Sequence, residues 1–204
     1  MKKQNRFYWN IVVGIFITVF IASLVISNRT LEMNNLIAPA GVIIYPLVYF
    51  LSTVYLKKFG KKEAYELILS AIVSIIFFGF LLIVANAVTV SDYNDGLEPL
   101  FNVDFRVIVS SVAAFYVGLN LNLSIYSTLK RVRKTNFLIS SIISFSVDSL
   151  IFSILSFAGR IPLKDLINLA SGHFITGLLL VTIFGILFAN IVPDSFEEVI
   201  KVEF

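Results

Sequence analysis

The stretch YELILSAIVSIIFFGFLLIVANAV, Tyr65 to Val88, decides the fold class. After Glu66 it holds no charged side chain, and it exceeds the roughly 20 apolar residues that cross a hydrocarbon core of about 30 Å. A helix this apolar has no face to offer water, whereas a bilayer demands none. Working outward, Trp9–Ser27 and Leu36–Leu56 precede it with the same character, and Arg106–Leu129, Phe137–Phe157 and Asp165–Ile191 follow. The Arg106–Leu129 run is the least apolar, and the Phe137–Phe157 run is rich in serine. The expectation is one all-α integral membrane domain, residues 1–204, with six transmembrane helices.

Composition excludes the alternatives. The 204 residues are 58% hydrophobic and 14% charged, with a mean hydropathy of +0.91. Soluble domains carry about 45–50% apolar and about 25% charged residues, and disordered chains are poorer still in apolar and aromatic side chains. The chain has no cysteine and one histidine, which removes disulfides, thiolate metal sites, cysteine nucleophiles and histidine clusters. No Walker sequence, zinc pair, Gly-x-Ser-x-Gly elbow or Rossmann glycine pattern occurs. Neither an enzyme nor a cofactor is expected. The first apolar run is longer than a signal-peptide core, and Ser27-Asn28-Arg29-Thr30 is no small-residue cleavage site. It is expected to be retained.

The basic residues sort by loop. Lys2, Lys3 and Arg6, then Lys57, Lys58, Lys61 and Lys62, then Lys130, Arg131, Arg133 and Lys134, and finally Lys201 fall on one side. Only Arg29, Arg106, Arg160 and Lys164 fall on the other, twelve against four. The positive-inside rule then predicts both termini in the cytoplasm, as an even number of spans requires. Basic loops so distributed are a topological excess and not a nucleic-acid site. The connection from Ser91 to Asp104 carries Asp92, Asp95, Glu98 and Asp104 on the opposite side. Gly60 and Gly96 read as turn glycines.

Polar groups inside the spans carry the functional information. Twelve of the thirteen acids lie in loops or near span ends, and only Asp148 falls mid-span. A charged aspartate at that depth costs about 2.5–3.5 kcal/mol on insertion scales. Two readings are open: a ligand-binding or proton-carrying carboxylate, or a helix-to-helix hydrogen bond. Ser141, Ser144 and Asp148 form one stripe at helical spacing, as do Tyr45, Tyr49 and Ser52, with Thr53 adjoining. Ser111, Gly118 and Asn122 align on the fourth span, with Asn120 beside them, and His173 shares a face with Thr176 on the sixth. Hydroxyls and glycines such as Ala114-x-x-x-Gly118 also serve close helix packing. His173 reads as a ligand or proton contact, or as a hydrogen-bonded interior ring. Pro46 is expected to free a carbonyl and bend the second span.

The order of these marks resembles the VUT family of inner-membrane proteins, the queuosine precursor transporters. The resemblance runs from the first span to the sixth. Its marks are Ser27-Asn28, Gly41, Tyr45-Pro46, Phe59-Gly60, Ser110-Ser111-x-x-Ala114-Phe115, the basic loop from Leu129 to Lys134, and Ser144-Phe-Ser-Val-Asp148-Ser-Leu-Ile-Phe152. The resemblance implies import of 7-cyano-7-deazaguanine, 7-aminomethyl-7-deazaguanine or a related precursor across the bacterial inner membrane. It also implies a six-helix fold similar to the substrate-binding subunits of energy-coupling-factor transporters, and it marks Asn28, Pro46 and Asp148 as site candidates. The chain departs from the pattern at Thr53 and Lys57, where the family usually has acids, and at Leu119 and Asn122, where it has glutamine and aspartate. Thr176 and Ile186 replace a lysine and a proline.

A flat purine-like base would stack on Tyr49 or Phe115 and present ring N–H groups to Asp148, with Asn28 and Asn122 completing its edge. Tyr45, Ser52, Ser111, Ser144 and His173 complete the expected ligand-binding set. Three functions stay open: a carrier for such a metabolite, a ligand-binding subunit of an ATP-driven assembly, or a non-transporting sensor, anchor or pore-forming effector. The expected partners are the lipid bilayer and a small molecule, with a homo-oligomer or a further membrane or cytoplasmic partner open, and no nucleic acid.

Overall fold

The computed structural model describes residues 3–27, 29–33, 36–88, 104–129 and 134–191. Asn28, the acidic connection with Gly96, the basic connection 130–133 and the tail with Lys201 lie outside the described residues. Helix α1 spans Lys3–Ile26, and a hairpin of β1 (Thr30–Met33) and β2 (Leu36–Pro39) follows. A 3-10 turn, Ala40–Ile43, leads into α2 (Pro46–Phe59), then α3 (Lys61–Val88), α4 (Phe105–Thr128), α5 (Lys134–Phe157) and α6 (Leu163–Ile191). Among the described residues, α1, α3, α4, α5 and α6 are long and apolar enough to cross a membrane. The chain is a multi-pass membrane protein.

The second expected span is corrected. Leu36–Leu56 is not one helix: it is a strand, a 3-10 turn and most of α2, whose 14 residues cover only about 21 Å at 1.5 Å each. The physical reason lies in two prolines that hydropathy does not weigh. Pro39 ends β2, pairing with Thr30 in an antiparallel register that runs to Met33 and Leu36, and its missing N–H costs a strand end nothing. Pro46 is the first residue of α2, where the lost N–H would have no intrahelical partner anyway. Pro46 therefore starts a helix and does not bend one.

Irregular backbone persists in a membrane only when its polar groups are paired and protein surrounds it. The hairpin pairs its own strands, and the Ala40 amide donates to the Arg29 carbonyl at 2.8 Å. Its second strand presses against α6 roughly two and a half turns below the start of that helix. The approach is so close that a Cβ on Gly172 would collide with the carbonyl oxygen of Ile37 and lie 2.8 Å from its carbonyl carbon. Ala38, Ala40 and Val42 are buried beneath it.

Two ends of the bundle are distinguishable. At the basic end α1 begins and α2 turns into α3 through Gly60, whose φ of 93° favours glycine. Trp9 packs edge-on against Phe59 there, with ring centres 4.8 Å apart. At the distal end Asp104 caps α4 by accepting from the Arg106 amide at 2.9 Å and pairs with Arg160. The Arg106 guanidinium donates to the carbonyls of Leu155 at 2.6 Å and Ala158 at 2.8 Å, groups left without partners at the end of α5. Between the ends Phe16, Phe20, Tyr49, Phe115, Phe145 and Ile75 form a fully enclosed core. Val73, Ile76, Phe77 and Phe80 on α3 are exposed, as lipid-facing side chains are.

Gly172→Ala is expected to destabilise the purified protein by about 1–3 kcal/mol, the range for forced overpacking. Gly14, with nothing within 4 Å of its would-be Cβ, is the control. Denaturation of both variants checks this: equal midpoints would mean that the hairpin does not sit against α6.

Candidate functional site

A hollow opens in the distal half of the bundle. Its wall is built from the last two turns of α1 (Phe20, Ser23, Leu24) with Ser27 just after it, the 3-10 turn (Gly41, Val42), Tyr45 at the cap of α2, Ser111 of α4, Asp148 and Phe152 of α5, and His173 of α6. About 30 Å³ of the hollow would admit the centre of a water molecule, room for about two waters, and the empty space counted out into open solvent is about 390 Å³, so a guest the size of a base needs the wall to part. The 3-10 turn packs tightly against the end of α1 here: a Cβ on Gly41 would collide with the Ser23 carbonyl oxygen and the Ser27 hydroxyl.

Asp148 sits on the wall with 2% of its surface exposed. Its Oδ1 accepts a long hydrogen bond of 3.4 Å from the Tyr45 hydroxyl, a weak bond at that length. The Tyr49 hydroxyl lies beside the same carboxylate, outside hydrogen-bond geometry. Gly118 lets α4 approach both: a Cβ there would strike the Tyr49 hydroxyl and lie 2.8 Å from the Asp148 Cβ. The Asp148 bond ties α5 to the residue that caps α2, and that residue also lines the hollow.

His173 is 6% exposed. Its ring stands edge-on to Phe145 and Phe152, with centres 5.6 and 5.4 Å away, which fixes its plane. Nδ1 has no hydrogen-bond partner, so a buried polar atom on the wall is left unsatisfied, a costly arrangement in a folded protein. A carboxylate acceptor and an imidazole, set in aromatic and small side chains, can bind a flat molecule that offers N–H donors along one edge.

The expected ligand set divides. Tyr45, Ser111, Asp148 and His173 line the hollow. Tyr49 adjoins Asp148 from behind with none of its surface exposed. Phe115 is not a stacking platform, because Phe20 covers it ring on ring at 3.5 Å and 13°. The aromatic faces at the hollow are Phe20, Tyr45 and Phe152. Ser52 turns its hydroxyl to the Tyr49 carbonyl at 2.9 Å. Asn122 donates to Thr53 at 3.0 Å and accepts from Ser141 at 3.5 Å, bound within the bundle instead of facing a ligand. Ser144 is buried without a partner. Phe20, Ser23, Leu24, Ser27, Gly41, Val42 and Phe152 complete the wall unforeseen; Ser27, Gly41 and Phe152 stood among the family marks, but Phe20 and Ser23 are ordinary residues of an apolar run.

Gly118→Ala is expected to destabilise by about 1–3 kcal/mol, and Tyr49→Phe in the same chain to recover part of that loss by removing the oxygen that the methyl meets. Denaturant unfolding of the four proteins in a double-mutant cycle checks it. Strict additivity would contradict the contact.

Comparison with known proteins bears on the family of the chain. The family model described as "Putative vitamin uptake transporter", Vut_1, matches residues 39–192, well over half of the chain. The probable queuosine precursor transporter of Bacillus subtilis (strain 168) is 27% identical over 164 residues, covering 73% of this chain and 70% of that protein. No solved structure matches. The matched region begins at the end of β2 and takes in the 3-10 turn and every helix from α2 to α6, and on that match the chain belongs to the Vut_1 family of membrane transporters.

Proposed function

We propose that this protein carries a small, flat, N–H-bearing heterocycle of the 7-deazapurine class across the bacterial cytoplasmic membrane, with Asp148 as its principal contact. The observation that carries the reading is a nearly enclosed carboxylate on the wall of a hollow, held by one weak bond from Tyr45. An aspartate committed to structure would have its oxygens fully engaged; this one keeps acceptor capacity for a guest. A neighbouring pair of ring and amino N–H groups matches a carboxylate's two oxygens. Phe20 and Phe152 give the hollow an apolar wall against which a base would lie once the space opens, and His173 Nδ1 offers a further hydrogen-bonding position.

The similarity to the probable queuosine precursor transporter of Bacillus subtilis supports this substrate class. The excess of basic residues at the end where α1 begins supports a cytoplasmic placement of that end. The hollow then opens to the opposite side, as an importer needs when it receives its cargo.

Uptake of labelled 7-cyano-7-deazaguanine by cells carrying the protein tests this. Asp148→Ala is expected to lower uptake at subsaturating substrate about 10- to 100-fold, the loss of a hydrogen bond to a charged group. Uptake at the wild-type rate by Asp148→Ala, with equal protein in the membrane, would remove the carboxylate from the site.

A further inference from the structure

Between the hollow and the basic end the bundle is closed, yet its closed part is polar. Three helices contribute side chains in rows stepping about one turn at a time: Tyr49 and Thr53 on α2, Gly118 and Asn122 on α4, and Asp148, Ser144 and Ser141 on α5. At the level of Asn122 the rows are tied across. Asn122 donates to Thr53 at 3.0 Å and accepts from Ser141 at 3.5 Å, while Thr53 donates to the Tyr49 carbonyl at 3.0 Å. One turn further toward the basic end, the Lys57 ammonium stands 5.7 Å from the centre of the Tyr126 ring.

Interhelical hydrogen bonds alone would account for the tie at Asn122. They do not account for Ser144, fully buried between that tie and Asp148 with its hydroxyl unpaired. An alanine there would pack without leaving an unsatisfied group. Ser153 and Ser156 on the same helix are also buried and unpaired; what sets Ser144 apart is its place on the face between Asp148 and the tie, where water or a guest moving along the seam would give its hydroxyl a partner. We infer that the seam between α2, α4 and α5 is the closed half of a passage through the bundle, with the Ser141–Asn122–Thr53 tie as its constriction. The inference rests on the carrier reading in needing a route onward from the hollow, and it concerns which groups line that route.

The chain contains no cysteine, so each introduced thiol is unique. Ser144→Cys places one in the seam. Ser153→Cys is the control, because Ser153 is equally buried and also unpaired but lies about 140° around α5 from Asp148, at 100° per residue. In membrane vesicles treated with a water-soluble methanethiosulfonate, Ser144→Cys is expected to react at least about tenfold faster than Ser153→Cys. Adding Asn122→Ala to Ser144→Cys is expected to raise its rate for reagent applied from the basic end. A Ser144 thiol as inert as the Ser153 thiol overturns the passage, and a rate indifferent to Asn122→Ala overturns the constriction. The labelling needs no substrate. Fast labelling that 7-cyano-7-deazaguanine does not alter would uphold the passage and count against the deazapurine reading alone.

Discussion

A carboxylate held near the middle of an apolar bundle is the constraint around which this molecule is arranged. Asp148 gains nothing from its surroundings unless a donor is brought to it, and the nearest one, Tyr45, comes from backbone that is not yet helix. The chain between α1 and α2 abandons helical structure to deliver it. Pro39 closes a strand, Pro46 opens a helix, and the turn between them sets the tyrosine against α5. Gly118 contributes from the other side by letting α4 come within contact of both groups. The hollow is what remains when α1, the 3-10 turn and α6 meet around that carboxylate.

The arrangement is lopsided along the bundle axis. Toward the distal end, small and aromatic side chains leave space, while toward the basic end Asn122, Thr53 and Ser141 bind one another across it. Thr53 and Asn122 are both positions where the chain departs from the pattern of the family it resembles, and the structure puts them in direct contact at 3.0 Å. Two neutral hydrogen-bonding groups can satisfy each other there without the repulsion that adjacent carboxylates bring.

Much of this was legible in the sequence, for stated reasons. Long apolar runs are decisive for a membrane protein because lipid leaves few alternatives to a helix, and Asp148 stood out because an intramembrane charge is rare. The hairpin was not legible. Leu36–Leu56 holds no charged side chain, and hydropathy sums cannot separate a strand, a turn and a short helix from one long helix when only two prolines mark the joints. Stripes of hydroxyls at helical spacing identified a face but not its use: Tyr45 reached the hollow, whereas Ser52 satisfied itself on its own backbone. Phe20 was invisible because an aromatic ring in an apolar run carries no mark of the neighbour it will cover.

The most direct measurement of the central claim is the stability of the purified protein with and without 7-cyano-7-deazaguanine. A ligand present at about a hundred times its dissociation constant, and bound only by the folded form, adds about 2.7 kcal/mol. The account predicts that gain for the native chain and its absence for Asp148→Asn, which keeps the shape of the side chain but replaces an acceptor by a donor. Equal stabilisation of both proteins would contradict it.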